Sequence, residues 1–500
     1  MERREFLKTL AVAGMGATLP LRANTAMELV TQDALSLSRM IHAKEVSCVE
    51  TMTAFLDRIE TVNPTFNAIV SIADRTTLLE EAKRADAELS RGDSRGWMHG
   101  FPIAIKDLAN ATGFVTTSGS PIFKDNVAES DSLHVARMKA AGGIVIGKTN
   151  VPEFGLGSQS YNPVFGATGC AYDSSRTAGG SSGGAASALA LSMLPVADGS
   201  DMMGSLRNPG AFNNIIGFRP TPGVVPLGND LTETLACNGP MARTVSDTAM
   251  LLSSIAGKDA AHPNTLPMDP AQFAQPLARD WKNARIGWLG DFDGYLATEP
   301  GVLELCETAL DGFRAVGIKV EDYNLGYDMK SLWQTWLTYR HWMNRSRGIA
   351  LYDNPATRSQ LKPELIWEVE GGASTTGDDL SKAMAARGQF YQAVAGAFKE
   401  VDFLVLPTAQ VFPFDKTIHW PKEIAGREMD TYHRWMEVVV PGTMSGCPVI
   451  NVPAGFNEQG LPMGLQIIGP RYQDFSVLQV AYAYEQATRW NLDHPPSTIA

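Results

Sequence analysis

The 500-residue chain has few cysteines and no excess of positive charge. Its five cysteines are odd in number and widely scattered without a Cys-x-x-Cys pair, so neither a disulfide framework nor a zinc site is indicated. Lysine and arginine number 42 against 54 acidic residues, and the net charge of −12 gives nucleic-acid binding no electrostatic support. Beyond the N-terminal region no apolar run approaches the roughly 18 residues of a membrane-spanning helix, so none is predicted.

The N-terminus carries a pattern of its own. Arg3 and Arg4 precede a run of apolar and small residues at 10–21. This resembles a twin-arginine export signal, which a receptor reads and which is removed after transport. The alternative is a cytoplasmic protein with a basic N-terminal helix. We expect residues 1–26 to be the signal, and the mature chain, residues 27–500, to be periplasmic or secreted.

The remaining composition, 44% hydrophobic and 19% charged, suits a protein with a large core. Short apolar runs at 101–105 and 143–147 predict buried strands, and the pattern at 132–141 predicts a helix between them. Such alternation indicates an α/β fold with an at least partly parallel sheet. A capping box at Ser47 predicts a helix that ends before Pro64.

The most informative stretch is residues 177–209. It opens with two glycines, two serines and two more glycines at 179–184, and small apolar residues at 185–194 then predict a tightly packed helix. A flexible linker would stay polar throughout, so this alternative is disfavoured. A second turn, Gly204-Ser205, closes the stretch. Turns of this kind bring backbone N–H groups close to a bound molecule.

Three other kinds of site in or near this stretch are less well supported. A phosphate-binding loop needs a lysine after its glycines, and the cluster has none. Ser182 stands in a Gly-x-Ser-x-Gly pattern like the nucleophile elbow of α/β-hydrolases, but residues 171–177 look too polar for the preceding strand, and no histidine has a recognisable setting. Cys170 could be a nucleophile, although a free cysteine is more often a small buried hydrophobe.

Two further features allow alternative interpretations. Lys106 ends a predicted strand, and it either pairs with Asp107 in solvent or enters the interior, where desolvation would lower its pKa and make it a usable base. The aromatic-rich segment 331–350 either packs in the core or forms the wall of an apolar substrate pocket.

Several ordered motifs together carry a family resemblance. They are G-F-P-I-A-I-K-D at 100–107, G-K-T-N-V-P-E-F at 147–154, G-G-S-S-G-G at 179–184 and S-D-M-M-G-S-L-R-N-P at 200–209, with further blocks at 217–221, 239–244, 448–455 and 460–470. With these motifs the chain resembles the amidase signature hydrolases over nearly everything after the signal. Residues 263–441 are supported only by their flanks, and we expect them to be the variable region that sets substrate specificity.

The resemblance implies a large mixed, mostly parallel central sheet with helices on both faces, in one domain. It also implies that Ser205 is the nucleophile, that Lys106 is the general base, and that Ser181, held by a cis peptide bond, relays the proton between them; Ser182 is expected to be neither. The implied substrate is a small-molecule amide, hydrolysed through an acyl-enzyme with no metal and no cofactor.

The resemblance further implies an oxyanion hole made by four backbone N–H groups, those of Met202, Met203, Gly204 and Ser205. Met203 departs from the family pattern, because a second glycine is usual there. Either this position needs a positive φ and methionine is strained, or the side chain only narrows an apolar pocket. We favour the second view, which predicts a preference for aryl or alkyl amides.

Two alternative functions remain open. One is the amidase component of a tRNA-dependent amidotransferase, against which an export signal argues because tRNA is cytoplasmic. The other is a binding protein on the same fold that Met203 makes inactive. The sequence does not fix the oligomeric state, and a homodimer is compatible with it.

Overall fold

The computed structural model describes residues 26–228 and 230–499. The predicted export signal lies outside these residues, apart from Ala26, and stays a prediction. None of the helices in the two ranges combines the length and the apolar character needed to cross a bilayer.

The strands are numbered in chain order. They are β1 Ile69–Val70, β2 Pro102–Lys106, β3 Ile144–Thr149, β4 Tyr161–Asn162, β5 Gly166–Ala167, β6 Gly169–Cys170, β7 Asp173–Thr177, β8 Val196–Asp201, β9 Ile216–Arg219, β10 Cys237–Ala242, β11 Arg285–Trp288, β12 Lys319–Asp322, β13 Phe403–Pro407, β14 Glu423–Ile424, β15 Arg427–Glu428, β16 Val449–Phe456 and β17 Pro462–Ile468.

The α-helices are numbered in the same way. They are α1 Ala26–Thr31, α2 Ala34–His42, α3 Cys48–Phe66, α4 Arg75–Ser90, α5 Leu133–Ala140, α6 Gly183–Ala190, α7 Arg207–Phe212, α8 Val245–Ile255, α9 Val302–Ala309, α10 Asp311–Ala315, α11 Met329–Asp353, α12 Pro355–Arg358, α13 Pro363–Gly371, α14 Gly377–Ala397, α15 Val440–Ser445, α16 Asp474–Thr488 and α17 Trp490–Asp493. Short 3₁₀ helices lie at Pro121–Phe123, Glu153–Gly155, Pro270–Ala274 and Arg434–Val439.

A mixed sheet of eight strands forms the centre of the fold, in the order β12-β11-β13-β17-β16-β9-β10-β8. Every residue of β17 is buried, so both faces of the sheet are covered there. The α/β class and the mixed central sheet are confirmed. The expectation of mostly parallel pairing is wrong, because only β12–β11 and β11–β13 are parallel and the other five pairings are antiparallel. The short loop 457–461, for example, can join β16 to β17 only as an antiparallel hairpin.

A smaller sheet, β1-β3-β2, lies beside the central one. Strands β2 and β3 are parallel and α5 connects them, as the alternating pattern predicted. Strand β2 contacts β8 at the edge of the central sheet. This contact brings the end of β2 next to the two glycine–serine turns. The first turn precedes α6 and the second follows β8.

Helix α3 begins with the predicted capping box at Ser47 but does not end before Pro64. It continues for two more residues to Phe66, which is buried and anchors the last turn. Asn67 then ends the helix in the left-handed conformation, and its N–H donates to the carbonyl oxygen of Asn63. A proline removes only one N–H donor, so packing of the last turn outweighs its cost here.

Candidate active site

Strand β2 carries Lys106 into the interior, where the residue is 1% exposed. Its Nζ lies 2.8 Å from Oγ of Ser181 and 2.7 Å from Oγ of Ser182. The same nitrogen lies 3.0 Å from Oγ and 3.2 Å from the carbonyl oxygen of Ser200 in β8. Three serines from two segments of the chain therefore surround one amine. Ser200 was not singled out from the sequence, although it belongs to the motif at 200–209.

The surroundings of Lys106 favour its neutral form. Burial lowers the pKa of its amine to about 7, while the negative charges of Asp198 and Asp201 oppose that shift. The alternative of a solvated strand end paired with Asp107 is wrong, because both side chains are buried. Asp107 instead accepts a hydrogen bond from the N–H of Thr117 at 3.1 Å. An amine with a pKa near neutrality is suited to accept a proton.

A buried chain of polar groups holds Lys106 at its backbone. Its N–H donates to Oδ1 of Asp198 at 2.9 Å, and Oδ2 of Asp198 lies 3.1 Å from Nε2 of His134. The amide nitrogen of Asn238 lies 3.2 Å from Nδ1 of His134. Because that amide nitrogen donates, the network assigns the ring proton to Nε2. Strand register creates this chain by placing Asn238 in β10 opposite Ser200 in β8, and no local motif signals it.

Ser181 lies in the first glycine–serine turn, and the peptide bond that joins it to Gly180 is cis. Its hydroxyl faces Lys106, and the residue is 3% exposed. Helix α6 starts two residues later and packs against the end of β3. A Cβ on Gly184 would lie 2.3 Å from the backbone nitrogen of Asn150, so no other residue fits without displacing the backbone.

Ser205 lies in the second turn, between β8 and α7, and is 7% exposed. Its carbonyl oxygen accepts a hydrogen bond from the N–H of Ser182 at 3.3 Å, which ties the two turns together. Its hydroxyl makes no hydrogen bond with any residue in the described ranges, and together with Ser181 it lines a cavity of about 130 Å³. A catalytic hydrogen bond is often formed only once substrate is bound, so the free hydroxyl is compatible with a nucleophile.

The backbone N–H groups of the second turn have two different roles. The N–H of Gly204, which has a φ of +80°, donates to Oδ1 of Asp201 at 2.9 Å. It is therefore not a free donor in the absence of ligand, and its place in an oxyanion hole stays a prediction. Within the described residues, no acceptor takes the N–H groups of Met202, Met203 and Ser205. Their role as oxyanion donors stays a prediction.

Asp201 fixes the backbone of this turn through hydrogen bonds, and it was not predicted from the sequence. Its carboxylate also accepts the N–H of Leu206 at 3.1 Å. It forms buried ion pairs with Nε of Arg207 at 3.0 Å and Nη1 of Arg219 at 3.6 Å. These two cations hold the pKa of Asp201 at about 2, against the effect of burial. The arginines belong to two of the motifs, at 200–209 and 217–221, which is the only sequence signal for the cluster.

Met203 is not among the described residues with positive φ, so the view that methionine is strained at this position is wrong. The residue is 2% exposed and its side chain lies in the hydrophobic core at the cavity wall. Met202 also lines the cavity, where its Sδ lies 3.2 Å from Nη1 of Arg340. The remaining view, that methionine narrows an apolar pocket, stays a prediction.

The cavity at Ser205 is lined by both apolar and polar side chains. The apolar side chains are Leu108, Phe154, Leu156, Met202, Met203 and Met436. The polar ones from α11 are Arg340, Asn344 and Arg347, and the others are Ser181, Ser200, Asp201 and Ser205. The tryptophans of α11 do not line this cavity, because Trp333 and Trp336 are buried against His433. For these two residues, core packing is the correct interpretation.

The alternative nucleophiles are excluded by their surroundings. Cys170 is fully buried, burial raises the pKa of its thiol to about 11, and its Sγ lies 3.0 Å from the carbonyl oxygen of Phe212. Residues 173–177 do form a strand, β7, contrary to expectation, because β7 pairs with β6 in a ribbon outside the central sheet and so tolerates polar residues. Ser182 then faces Lys106 rather than a histidine, so the elbow interpretation is wrong.

Comparisons with known proteins match most of the chain. A family model described as Amidase matches residues 50–478. An acylamidase from Rhodococcus erythropolis is 31% identical over 481 residues, which cover 95% of this chain and 99% of the relative. A glutamyl-tRNA(Gln) amidotransferase subunit from Thermosynechococcus vestitus is 32% identical over 486 residues, 92% of this chain and 98% of the relative.

A comparison with solved structures gives a similar result for the fold. The crystal structure of a bacterial aryl acylamidase of the amidase signature family matches with a TM-score of 0.84 at 27% identity, and the match covers 93% of this chain and 99% of that one. The named activities of these similar proteins differ, so the comparisons agree on family and fold and leave the substrate open.

Proposed function

The chain belongs to the amidase signature family of hydrolases that act on amide bonds, and we propose that it cleaves a carboxamide through an acyl-enzyme on Ser205. The observation that carries this proposal is the contact of 2.8 Å between the buried Nζ of Lys106 and Oγ of Ser181, beside the cavity that holds Ser205. A serine hydroxyl is a weak nucleophile and needs a base within reach. A buried amine with a lowered pKa supplies that base.

The hydrogen bonds around Lys106 fit a neutral amine, which has two N–H donors and one lone pair. Ser182 and Ser200 provide acceptors for the two N–H groups. The lone pair then faces Ser181, whose hydroxyl donates to it. In this arrangement Ser182 and Ser200 orient the base.

The proposed reaction follows from this orientation. Ser205 attacks the amide carbonyl while its proton passes to Ser181 and the proton of Ser181 passes to Lys106. The free N–H groups of Met202, Met203 and Ser205 stabilise the oxyanion, each by about 3 kcal/mol. The proton returns through Ser181 to the leaving amine as the C–N bond breaks. Water then hydrolyses the acyl-enzyme to a carboxylate and regenerates Ser205.

We propose apolar aryl or alkyl amides as substrates. The support is the set of apolar side chains that line the cavity at Ser205, among them Met202 and Met203. Apolar groups on a substrate gain from burial against such a surface. The small volume of about 130 Å³ favours compact groups.

A second candidate is the amidase component of a tRNA-dependent amidotransferase, favoured by the similarity to the glutamyl-tRNA(Gln) amidotransferase chain of Thermosynechococcus vestitus. It predicts glutaminase activity and co-purification with a partner protein. An amidase acting alone predicts hydrolysis of simple amides by the isolated chain.

The proposal is tested by labelling with a fluorophosphonate, which forms a covalent adduct with an activated serine. We expect one adduct at Ser205 by mass spectrometry, and in Ser205→Ala the loss of both the adduct and amide hydrolysis, by on the order of 10⁴-fold or more. As a control, Ser90→Ala changes an exposed serine in α4 and retains both. An unlabelled Ser205 in the folded protein would instead favour a binding protein on the same fold.

A further inference from the structure

One face of helix α11 forms the polar wall of the catalytic cavity. Arg340, Asn344 and Arg347 follow each other at intervals of four and three residues, so their side chains lie on the same face. All three line the cavity that contains Ser205. We call these three side chains the polar wall.

Asn344 has no partner within this wall. The residue is 5% exposed, and its buried Nδ2 has no hydrogen-bond acceptor among the described residues. Its Oδ1 likewise accepts no hydrogen bond from them. Buried amides in folded proteins are nearly always bonded, and an exception requires an explanation. A ligand in the adjoining cavity is one that the geometry supports.

Arg340, one helical turn away, has a donor in a similar state. Its Nε donates to Glu368 at 2.8 Å and its Nη2 donates to the hydroxyl of Tyr432 at 2.7 Å. Its Nη1 has only the thioether of Met202, at 3.2 Å. A thioether is a weak acceptor, so this N–H of the guanidinium is poorly satisfied. Two residues of the cavity lining, Asn344 and Arg340, thus each carry a poorly satisfied donor.

The charges of the wall are balanced within the protein. Glu368 neutralises Arg340, and Glu233 forms an ion pair with Arg347. The wall therefore offers donors without net positive charge. Such a site favours a neutral acceptor, because a carboxylate would lose its hydration and find no uncompensated cation.

We propose that Asn344, together with Nη1 of Arg340, binds a second carbonyl oxygen of the substrate, separate from the carbonyl that Ser205 attacks. The substrate is then an apolar amide that carries a further ketone, ester or amide carbonyl. This inference rests on the proposed function, since it concerns the substrate of the same site. It makes Asn344 a determinant of specificity.

The test compares matched substrates. A series of keto-amides, in which the keto carbonyl lies at increasing distance from the amide, is paired with branched alkyl amides that have a methyl group in place of the keto oxygen. Amide-acids of the same length provide the charged counterpart. We expect kcat/KM to be highest for one of the keto-amides.

Asn344→Leu keeps the size of the side chain and removes its hydrogen bonds. We expect the ratio of kcat/KM for the preferred keto-amide over its alkyl partner to fall roughly fivefold to tenfold. The midpoint of thermal unfolding should not fall, because an unsatisfied amide is removed from the interior. Gln334→Leu, an exposed amide on the same helix, is the matched control and should leave the ratio unchanged.

Two results would overturn the inference: equal rates for keto and alkyl amides, or a preference for the amide-acids. If no amide is hydrolysed, the proposed function fails, and calorimetric binding to the Ser205→Ala protein decides the inference separately. Tighter binding of a keto-amide, lost in Ser205→Ala/Asn344→Leu, supports it. Binding that does not distinguish the keto from the alkyl amide overturns it.

Discussion

Two regions meet at the catalytic cavity and differ in how completely their polar groups are bonded. Around the ends of β2 and β8, the buried side chains of Lys106, Asp198 and Asp201 all have partners within the protein. Across the cavity, beside α11, Asn344 and both ring nitrogens of His433 have none among the described residues. Side chains bonded within the protein keep one arrangement without ligand, whereas unbonded ones gain from a ligand that supplies the missing bonds. We therefore assign the chemistry to the first region and recognition to the second.

Replacing Lys106 with alanine tests this division with the largest expected effect. The base is lost, so kcat/KM should fall by on the order of 10⁴-fold or more, as is usual when one member of a cooperating catalytic set is removed. Amide hydrolysis is measured together with the thermal unfolding midpoint, which should show a folded protein. A smaller loss in Lys106→Ala than in Asn344→Leu would reverse the assignment.

Asp201→Asn tests whether the first region depends on its buried charges. The change leaves Arg207 and Arg219 without their carboxylate, and we expect the free energy of unfolding to fall by about 3–5 kcal/mol. Urea denaturation measures this loss. Asp311→Asn, which alters an exposed ion pair with Arg314, is the control and should change the free energy of unfolding by less than about 0.5 kcal/mol. Equal effects of the two substitutions would contradict a structural role for the Asp201 cluster.

The pH dependence sharpens the comparison with a smaller effect. Lys106 must be neutral to accept a proton and its pKa is lowered to about 7, so kcat/KM should fall roughly tenfold for each pH unit below 7. Glu368, the carboxylate that pairs with Arg340 of the polar wall, does not titrate in this pH range, because Arg340 holds its pKa at about 2. The preference between keto and alkyl amides should therefore stay constant while the rate falls. A rate that is flat down to pH 5 would exclude Lys106 as the base.

The residues predicted to perform the chemistry were assigned through the family resemblance, because each lies in one of its motifs, at 100–107, 179–184 and 200–209. Lys106 ends an apolar strand, and Ser181 and Ser205 lie in glycine turns that few other structures require. The strand directions were not readable in the same way. Pairing depends on which segments meet in space, and the apolar runs that predict β16 or β17 look alike in parallel and antiparallel sheets.

The groups that support the site could not be predicted from the sequence, because only the tertiary structure brings them together. His134 and Asn238 meet Asp198 through strand register, and neither lies in a pattern with its partners. The N–H of Gly204 could be assigned to Asp201 only once the turn was seen. The tryptophans of α11 suggested a pocket wall from the sequence. In the structure it is Arg340 and Asn344 of this helix that line the cavity.

The burial of Lys106 also has a consequence for the proton balance of folding. The amine has a pKa of about 7 in the folded protein against 10.5 for an ordinary lysine, so between these values the unfolded chain binds more protons. Folding in mildly alkaline solution therefore releases a proton from this residue, and its contribution to stability rises with pH across that window. Below pH 7 the folded protein must hold a charged ammonium in its interior. The burial that suits Lys106 to act as a base therefore also disfavours folding in acid.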